Sequence, residues 1–225
     1  MTLHLYSTAY ADRLSPDVFH GLLNRLPATL QQKVLAYRRW QDAYASLFGK
    51  LLLEMALRKA GLPGDLTGLR TTVYGRPYLE GGPDFNISHS GNRVVCIMST
   101  SGRIGIDLEA TGDIAIGDFQ SQFTAAEWTT ITGSATPVLT FYHYWTAKES
   151  LIKADGRGLQ IALDSLDISD GQGVRDGPDN NPNILLNGSR WHIRSLPFFP
   201  NYACHIACDH PIGNLEVTEI GPEMF

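Results

Sequence analysis

A chain of 225 residues, 43% hydrophobic and 18% charged, can bury a core without disulfides as one large domain or two small ones, which excludes a disordered class. No apolar run approaches the roughly 18–20 residues that span a bilayer, and the opening MTLHLYSTAYADRL carries neither a basic nor a continuous apolar stretch, so a cytoplasmic protein with no membrane and no nucleic-acid partner is expected. The net charge of −5 is unevenly spread: residues 1–105 hold 12 Lys or Arg against 7 Asp or Glu, and residues 106–225 hold 6 against 16, which predicts an anion held mainly by the first half and a cation by the second.

Residues 3–6 read as a short opening strand, and Ser15-Pro16-Asp17 as the cap of a helix running to Leu26. Over 28–60, apolar residues such as Leu47, Leu51 and Met55 recur at helical spacing up to Gly61 and predict one long helix. Its first part presents Lys33, Arg38 and Arg39, the usual decoration of a wet face. Gly and Pro punctuate short strands over 62–78, where Tyr74-Gly75-Arg76-Pro77 predicts a tight turn with its arginine aimed outward.

The run FNISHSG followed by VVCIM predicts two strands joined by a polar turn that holds Ser88 and His89, where a hydroxyl and an imidazole can face a ligand. A histidine at a strand end is more often a satisfied structural residue. IGIDLE, residues 104–109, predicts a strand with Ile106 and Leu108 toward the core and Asp107 and Glu109 together on the other face. Carboxylates about 7 Å apart along one strand repel unless a cation lies between them, so a hard-metal site is the economical reading and a charged, aggregation-resistant edge the ordinary one.

Thr124 followed by Glu127 has the signature of a capping box opening a short helix. Residues 137–155 predict the organising helix, stopped by Gly156. Near its end Glu149 and Lys153 lie one turn apart, with Trp145 just behind them and Lys148 beside them. Exposed helices also carry Glu–Lys pairs at this spacing. Residues 164–187 read as a hairpin with a long loop, 191–194 and 202–208 as a closing strand pair, and 215–220 as a further strand. Cys96, Cys204 and Cys208 are odd in number and strand-like in setting, which suits a reducing compartment. With His205 and His210 the last two match no familiar zinc spacing.

There is a faint internal repeat. LFGKLLLEMALRKAG resembles YWTAKESLIKADG, with Leu47 matching Trp145, Gly49 matching Ala147 and Lys50 matching Lys148, and each segment is followed by a two-strand unit. An α+β fold is expected, with two similar α/β halves, 1–105 and 106–225, related by a pseudo-twofold axis and the site in their seam.

Asp107, Glu109 and Glu149 together offer three oxygen ligands, a set that suits Mg²⁺ shared with phosphate oxygens of a substrate, and the neighbouring lysines point to phosphate chemistry. The segments YGRPYL with FNISHSG, then GIDLE, then WTAKESLIKADGRGL, in this order and spacing, resemble the 4'-phosphopantetheinyl transferases of the larger, Sfp-type class. The resemblance implies transfer of the phosphopantetheine arm of coenzyme A to a serine of an acyl or peptidyl carrier protein, releasing adenosine 3',5'-bisphosphate. It implies that Asp107 and Glu109 bind Mg²⁺ and that Glu149 completes the metal site and serves as a base. Lys153 would contact phosphate and protonate the leaving group. Ser88, His89 and Lys148 would lie at the phosphates, and Tyr74, Gly75, Arg76 and Pro77 would border the adenine. Arg76 stands where the family often has Lys, which keeps the charge and adds a bidentate fork. Ala45 stands where a basic residue is common, so Lys33, Arg38 or Arg39 is expected to hold the 3'-phosphate. A monomer is expected, because two halves make the cleft within one chain. The competing readings are a Mg²⁺-dependent nucleotide pyrophosphate hydrolase and a non-catalytic coenzyme A-binding module.

Overall fold

Two hydrophobic periods, two along the strands and three to four along the helices, generate the architecture. The computed structural model describes residues 2–168, 183–186 and 188–225. The first half runs β1 (Thr2–Ala9), α1 (Pro16–Leu23), α2 (Ala28–Leu35), α3 (Trp40–Lys59), β2 (Leu69–Thr71), β3 (Pro77–Leu79), β4 (Asp84–Ser90) and β5 (Arg93–Ser99). The second runs β6 (Ile104–Ala110), α4 (Ala125–Gly133), α5 (Pro137–Asp155), β7 (Asn183–Leu186), β8 (Ser189–Ser195), β9 (Tyr202–Cys208) and β10 (Asn214–Glu219).

One sheet has the order β10-β1-β5-β4 and lies under α3; the other has the order β6-β9-β8-β7 and lies under α5. Alternation divides the side chains of β5: Val94, Cys96 and Met98 join the core beneath α3 with Leu47, Phe48 and Leu51. Val95 and Ile97 join Leu3 and Leu5 in a second core shared with Ile104, Ile106 and Leu108 of β6 and with Cys204, Ile206 and Cys208 of β9. A third core beneath α5 gathers Phe141, Ala147, Leu151 and Trp191. The α+β class and its two similar halves are therefore present, each half a long helix on a four-stranded sheet.

The halves meet where β4 faces β6. Instead of exchanging main-chain bonds, side chains of β4 accept the N–H groups of β6. Asp84 Oδ2 takes Ile104 at 2.7 Å, Asn86 Oδ1 takes Ile106 at 3.0 Å, Ser88 Oγ takes Leu108 at 3.2 Å and Ser90 Oγ takes Ala110 at 3.0 Å. Every second residue of one strand serves every second N–H of the other, so the period of two is kept across the seam. Donors on the edge of β6 that would otherwise lie buried and unpaired are thereby satisfied.

Several expectations are corrected. The helix over 28–60 is broken into α2 and α3 by an extended residue, Arg39 (φ −90°, ψ 131°), and the chain turns there so that Trp40 and Tyr44 stack edge-on against Tyr10. α1 ends at Leu23, before Leu26. Ser88 and His89 lie within β4; the turn is Gly91-Asn92, with Gly91 at φ +56°. The boundary expected at 105/106 cuts through β6, and β10 returns to pair in parallel with β1, so the first lobe also holds the end of the described chain. The hairpin expected over 164–187 falls largely on 169–182 and 187, outside the described residues; its last strand is β7, paired with β8.

α5 sits directly on β6 because residue 105 has no side chain. A Cβ there would land on the carbonyl oxygen of Ser150 and the amide nitrogen of Ala154, neither of which can rotate aside. Gly105→Ala is expected to cost about 1–3 kcal/mol by overpacking. Urea unfolding would read this as a lower midpoint with an unchanged slope; an unchanged midpoint would refute the close seating of α5.

Candidate active site

The acidic strand and the organising helix converge at the seam. Lys153 Nζ lies 2.5 Å from Asp107 Oδ1 and donates to Ser88 Oγ at 3.0 Å. Ser88 Oγ donates in turn to Asp107 Oδ1 at 3.1 Å. With the Leu108 N–H also bound, the hydroxyl has used its one donor and both acceptor sites. Ser90 Oγ donates to Glu109 Oε2 at 2.7 Å. Asp107 is only 3% exposed, and its Oδ2 is buried with no hydrogen-bond partner among the described residues.

Burial pushes the Glu149 carboxyl above its usual range; Asp107 and Glu109 push it further and Lys153 opposes them. Glu109 is raised chiefly by burial and also by Asp107, against the Ser90 hydrogen bond and Lys153. Three carboxylates thus share one partly desolvated corner with one ammonium. Repulsion of this kind is relieved by another cation, and hard oxygen donors with an unused buried lone pair on Asp107 fit a small divalent ion. Among the described residues no three acidic, His or Cys side chains converge tightly enough to cage an ion as they stand; Lys153 takes the cation's place on Asp107.

Beside this corner is a cavity of about 250 Å³ lined by Tyr74 to Pro77, Asn86, Glu149, Lys153 and Gly156. His89 lies on the face of β4 opposite Ser88 and is exposed; partial burial and then the Lys153 ammonium push its imidazole down. Lys50 projects from α3 and donates to the carbonyl oxygen and Oγ of Ser46 at 3.0 and 2.7 Å. Burial, with Lys33 adding to it, pushes Lys50 down to about 8, and among the described residues it has no carboxylate partner.

The model of the 4'-phosphopantetheinyl transferase superfamily matches residues 103–207, and that of the 4'-phosphopantetheinyl transferase N-terminal domain matches residues 13–101. The chain is 30% identical over 223 residues to the 4'-phosphopantetheinyl transferase Sfp of Bacillus subtilis (strain 168), covering 95% of this chain and 96% of that one. It is 34% identical over 211 residues to another Bacillus subtilis 4'-phosphopantetheinyl transferase, covering 90% and 91%. With the enzyme gsp of Aneurinibacillus migulanus it shares 35% over 164 residues, covering 72% and 69%. The chain belongs to the 4'-phosphopantetheinyl transferase superfamily.

Within this transferase, the structure brings together Ser88, Asp107, Glu109, Glu149 and Lys153 and sets other expected residues apart. Lys148 does not face the cleft: it is 0% exposed, lies 2.5 Å from Glu127 Oε2 and donates to the carbonyls of Gln122 and Leu163. Burial pushes its ammonium down and Glu127 pushes back. Glu127 also completes the capping box of α4, so the pair ties α4 to α5. Arg76 is turned inward, bonded to Asp84 rather than aimed at solvent. Ser88 is buried, with its hydroxyl engaged by Asp107, Lys153 and the Leu108 N–H. Arg38 lines a separate groove with Arg13, Phe19 and Trp40, and Arg39 reaches Asp42 at 4.0 Å. The residue missed as a site candidate is Lys50, whose signal was its match to Lys148 in the internal repeat.

Lys148→Met would strand the Glu127 carboxylate in the interior and is expected to cost about 3–5 kcal/mol. Adding Glu127→Gln should recover part of that loss. Chemical denaturation of the two single variants and the double variant checks this, and additive losses would contradict a coupled pair.

Proposed function

We propose that this chain transfers the 4'-phosphopantetheine arm of coenzyme A to a serine of an apo acyl or peptidyl carrier protein, leaving adenosine 3',5'-bisphosphate. Family membership supports this reading. The observation that carries it at the level of residues is the corner of three carboxylates and one lysine on the wall of a cleft. Asp107, Glu109 and Glu149 would hold Mg²⁺, which supplies charge neutralisation of the diphosphate when bound.

The protein's own groups do the rest. Glu149, raised by burial, takes the proton from the carrier serine, whose hydroxyl is a weak nucleophile at its ordinary pKa. The serine oxygen attacks the phosphorus that bears the pantetheine arm, and the bond to the bisphosphate breaks. Lys153 meets the charge that develops on the departing phosphate, and Ser88 holds that ammonium in place. Tyr74, 54% exposed at the mouth of the cleft, offers a ring face to the adenine with Gly75 and Pro77 beside it. Lys50 and Lys33 form a cationic pair, with His89 close to Lys50 and, among the described residues, no acidic partner for Lys50; the pair suits a phosphate monoester, and we assign the 3'-phosphate to it. Both walls of the cleft come from one chain, so we take the working unit to be a monomer. The three buried free cysteines fit a cytoplasmic setting.

Incubating the protein with coenzyme A, Mg²⁺ and a panel of apo-carrier proteins should add the mass of the phosphopantetheine arm to one or more of them. Release of bisphosphate without any carrier would point to a hydrolase, and binding without turnover to a coenzyme A-binding module. Glu149→Gln is expected to lower the transfer rate by about 10²–10⁴-fold while circular dichroism and thermal midpoint stay near the parent's. Near-parental turnover would remove the assigned role. Lys50→Met is expected to raise KM for coenzyme A about tenfold and leave that for 3'-dephospho-coenzyme A nearly unchanged. Equal effects on both substrates would place the 3'-phosphate elsewhere.

A further inference from the structure

Arg76 occupies the wall of the cleft, yet its guanidinium is committed to the protein. Nη1 and Nη2 reach the two oxygens of Asp84 at 2.7 and 2.8 Å, Nη2 also donates to the carbonyl of Ile104 at 2.9 Å, and Nε donates to the carbonyl of Lys153 at 2.8 Å. The side chain is 9% exposed. One planar fork therefore joins the loop before β3, the first residues of β4 and β6, and the last turn of α5. Only arginine offers donors in that geometry.

The bond to Lys153 is the consequential one. In the last turn of a helix the carbonyls have no intrahelical donor, and the negative end of the helix dipole favours a cation there. Arg76 supplies both donor and charge to the residue whose side chain reaches Asp107 and Ser88 on the opposite side. Gly156, at φ +89°, leaves the room: a Cβ there would meet Arg76 Cδ at 2.7 Å.

We propose that Arg76 is a positioning residue that fixes the last turn of α5, and with it the reach of Lys153 toward the leaving phosphate, and that it is not a ligand contact. The kinetic part rests on the transferase reading above. The loop that borders the adenine thereby carries the residue that sets the lysine on the phosphate side.

Two variants test this. Arg76→Lys keeps the charge but loses the fork, and Asp84→Asn removes the anchor that orients it. In the substrate-free protein, hydrogen exchange of amides 152–156 should quicken about tenfold in both variants, with α3 unchanged. In the transfer assay, kcat should fall about tenfold while KM for coenzyme A moves less than about threefold. Unchanged exchange with a raised KM in Arg76→Lys would mark a ligand contact and overturn the proposal. Exchange that quickens equally in α3 and α5 would mark general destabilisation and overturn it as well. Exchange is read without substrate, so an inactive wild-type protein would defeat the proposed function while the exchange result still decides whether Arg76 fixes the last turn.

Discussion

Everything at the centre of this protein depends on how β6 satisfies its second edge. A strand between two halves cannot leave alternate N–H groups unpaired away from water without a cost of about 1–3 kcal/mol each. Continuing the sheet with β4 would have merged the halves into one flat surface. The chain instead lends β6 four polar side chains from β4, spaced two apart, which pair the N–H groups yet hold the strands apart by the length of a side chain. The four supports also carry the site: Asp84 orients Arg76, Asn86 lines the cleft, Ser88 contacts Asp107 and Lys153, and Ser90 holds Glu109. Fold and chemistry share the same hydrogen bonds.

Much of this was legible from residues with local signals. Pro137 at the start and Gly156 at the end bound α5 as expected, Thr124 and Glu127 made their capping box, and IGIDLE gave β6 with its two carboxylates. The side-chain bonding across the seam was not legible, because its signal mimics another. Polar residues at 84, 86, 88 and 90 alternate as they would on a wetted strand, and DFNISHS says nothing about a second strand lying across it. The break before α3 has neither Gly nor Pro to announce it; tertiary stacking of Trp40 and Tyr44 on Tyr10 makes the break. The orientation of Arg76 depends on partners 8 to 77 residues away, which a local turn signal cannot contain. Lys148 was decidable: five residues at about 100° each put it about 140° from Lys153, on another face of the helix.

The internal repeat acquires physical content when its two lysines are compared. Lys148 and Lys50 occupy matching places on α5 and α3, each partly desolvated. One is neutralised by Glu127 within the protein; the other, among the described residues, bonds Ser46 alone and faces the electrostatic pressure of Lys33. A duplicated position has been closed in the acidic half and left open in the basic half. The split in formal charge, 12 cations to 7 anions against 6 to 16, is the coarse image of the same division of labour.

On the proposed reading the site's two ends are opposite in sign, and among the described residues neither is fully balanced. At the acidic end three carboxylates face one ammonium, and among the described residues Asp107 Oδ2 has no hydrogen-bond partner. Among the described residues Lys50, at the other end, has no acidic partner. Such charge costs stability in the ligand-free protein, because desolvation is met without full pairing. The proposed substrate, with an anionic diphosphate in its middle and a phosphate monoester at one end, would relieve both deficits together with a divalent cation. Lys153 neutralises Asp107 in this structure, a duty that a divalent cation bound there would share. The seam holds the carboxylates, and the guanidinium of Arg76 bonds the backbone from which the lysine projects, so both partners of the Lys153–Asp107 pair are anchored.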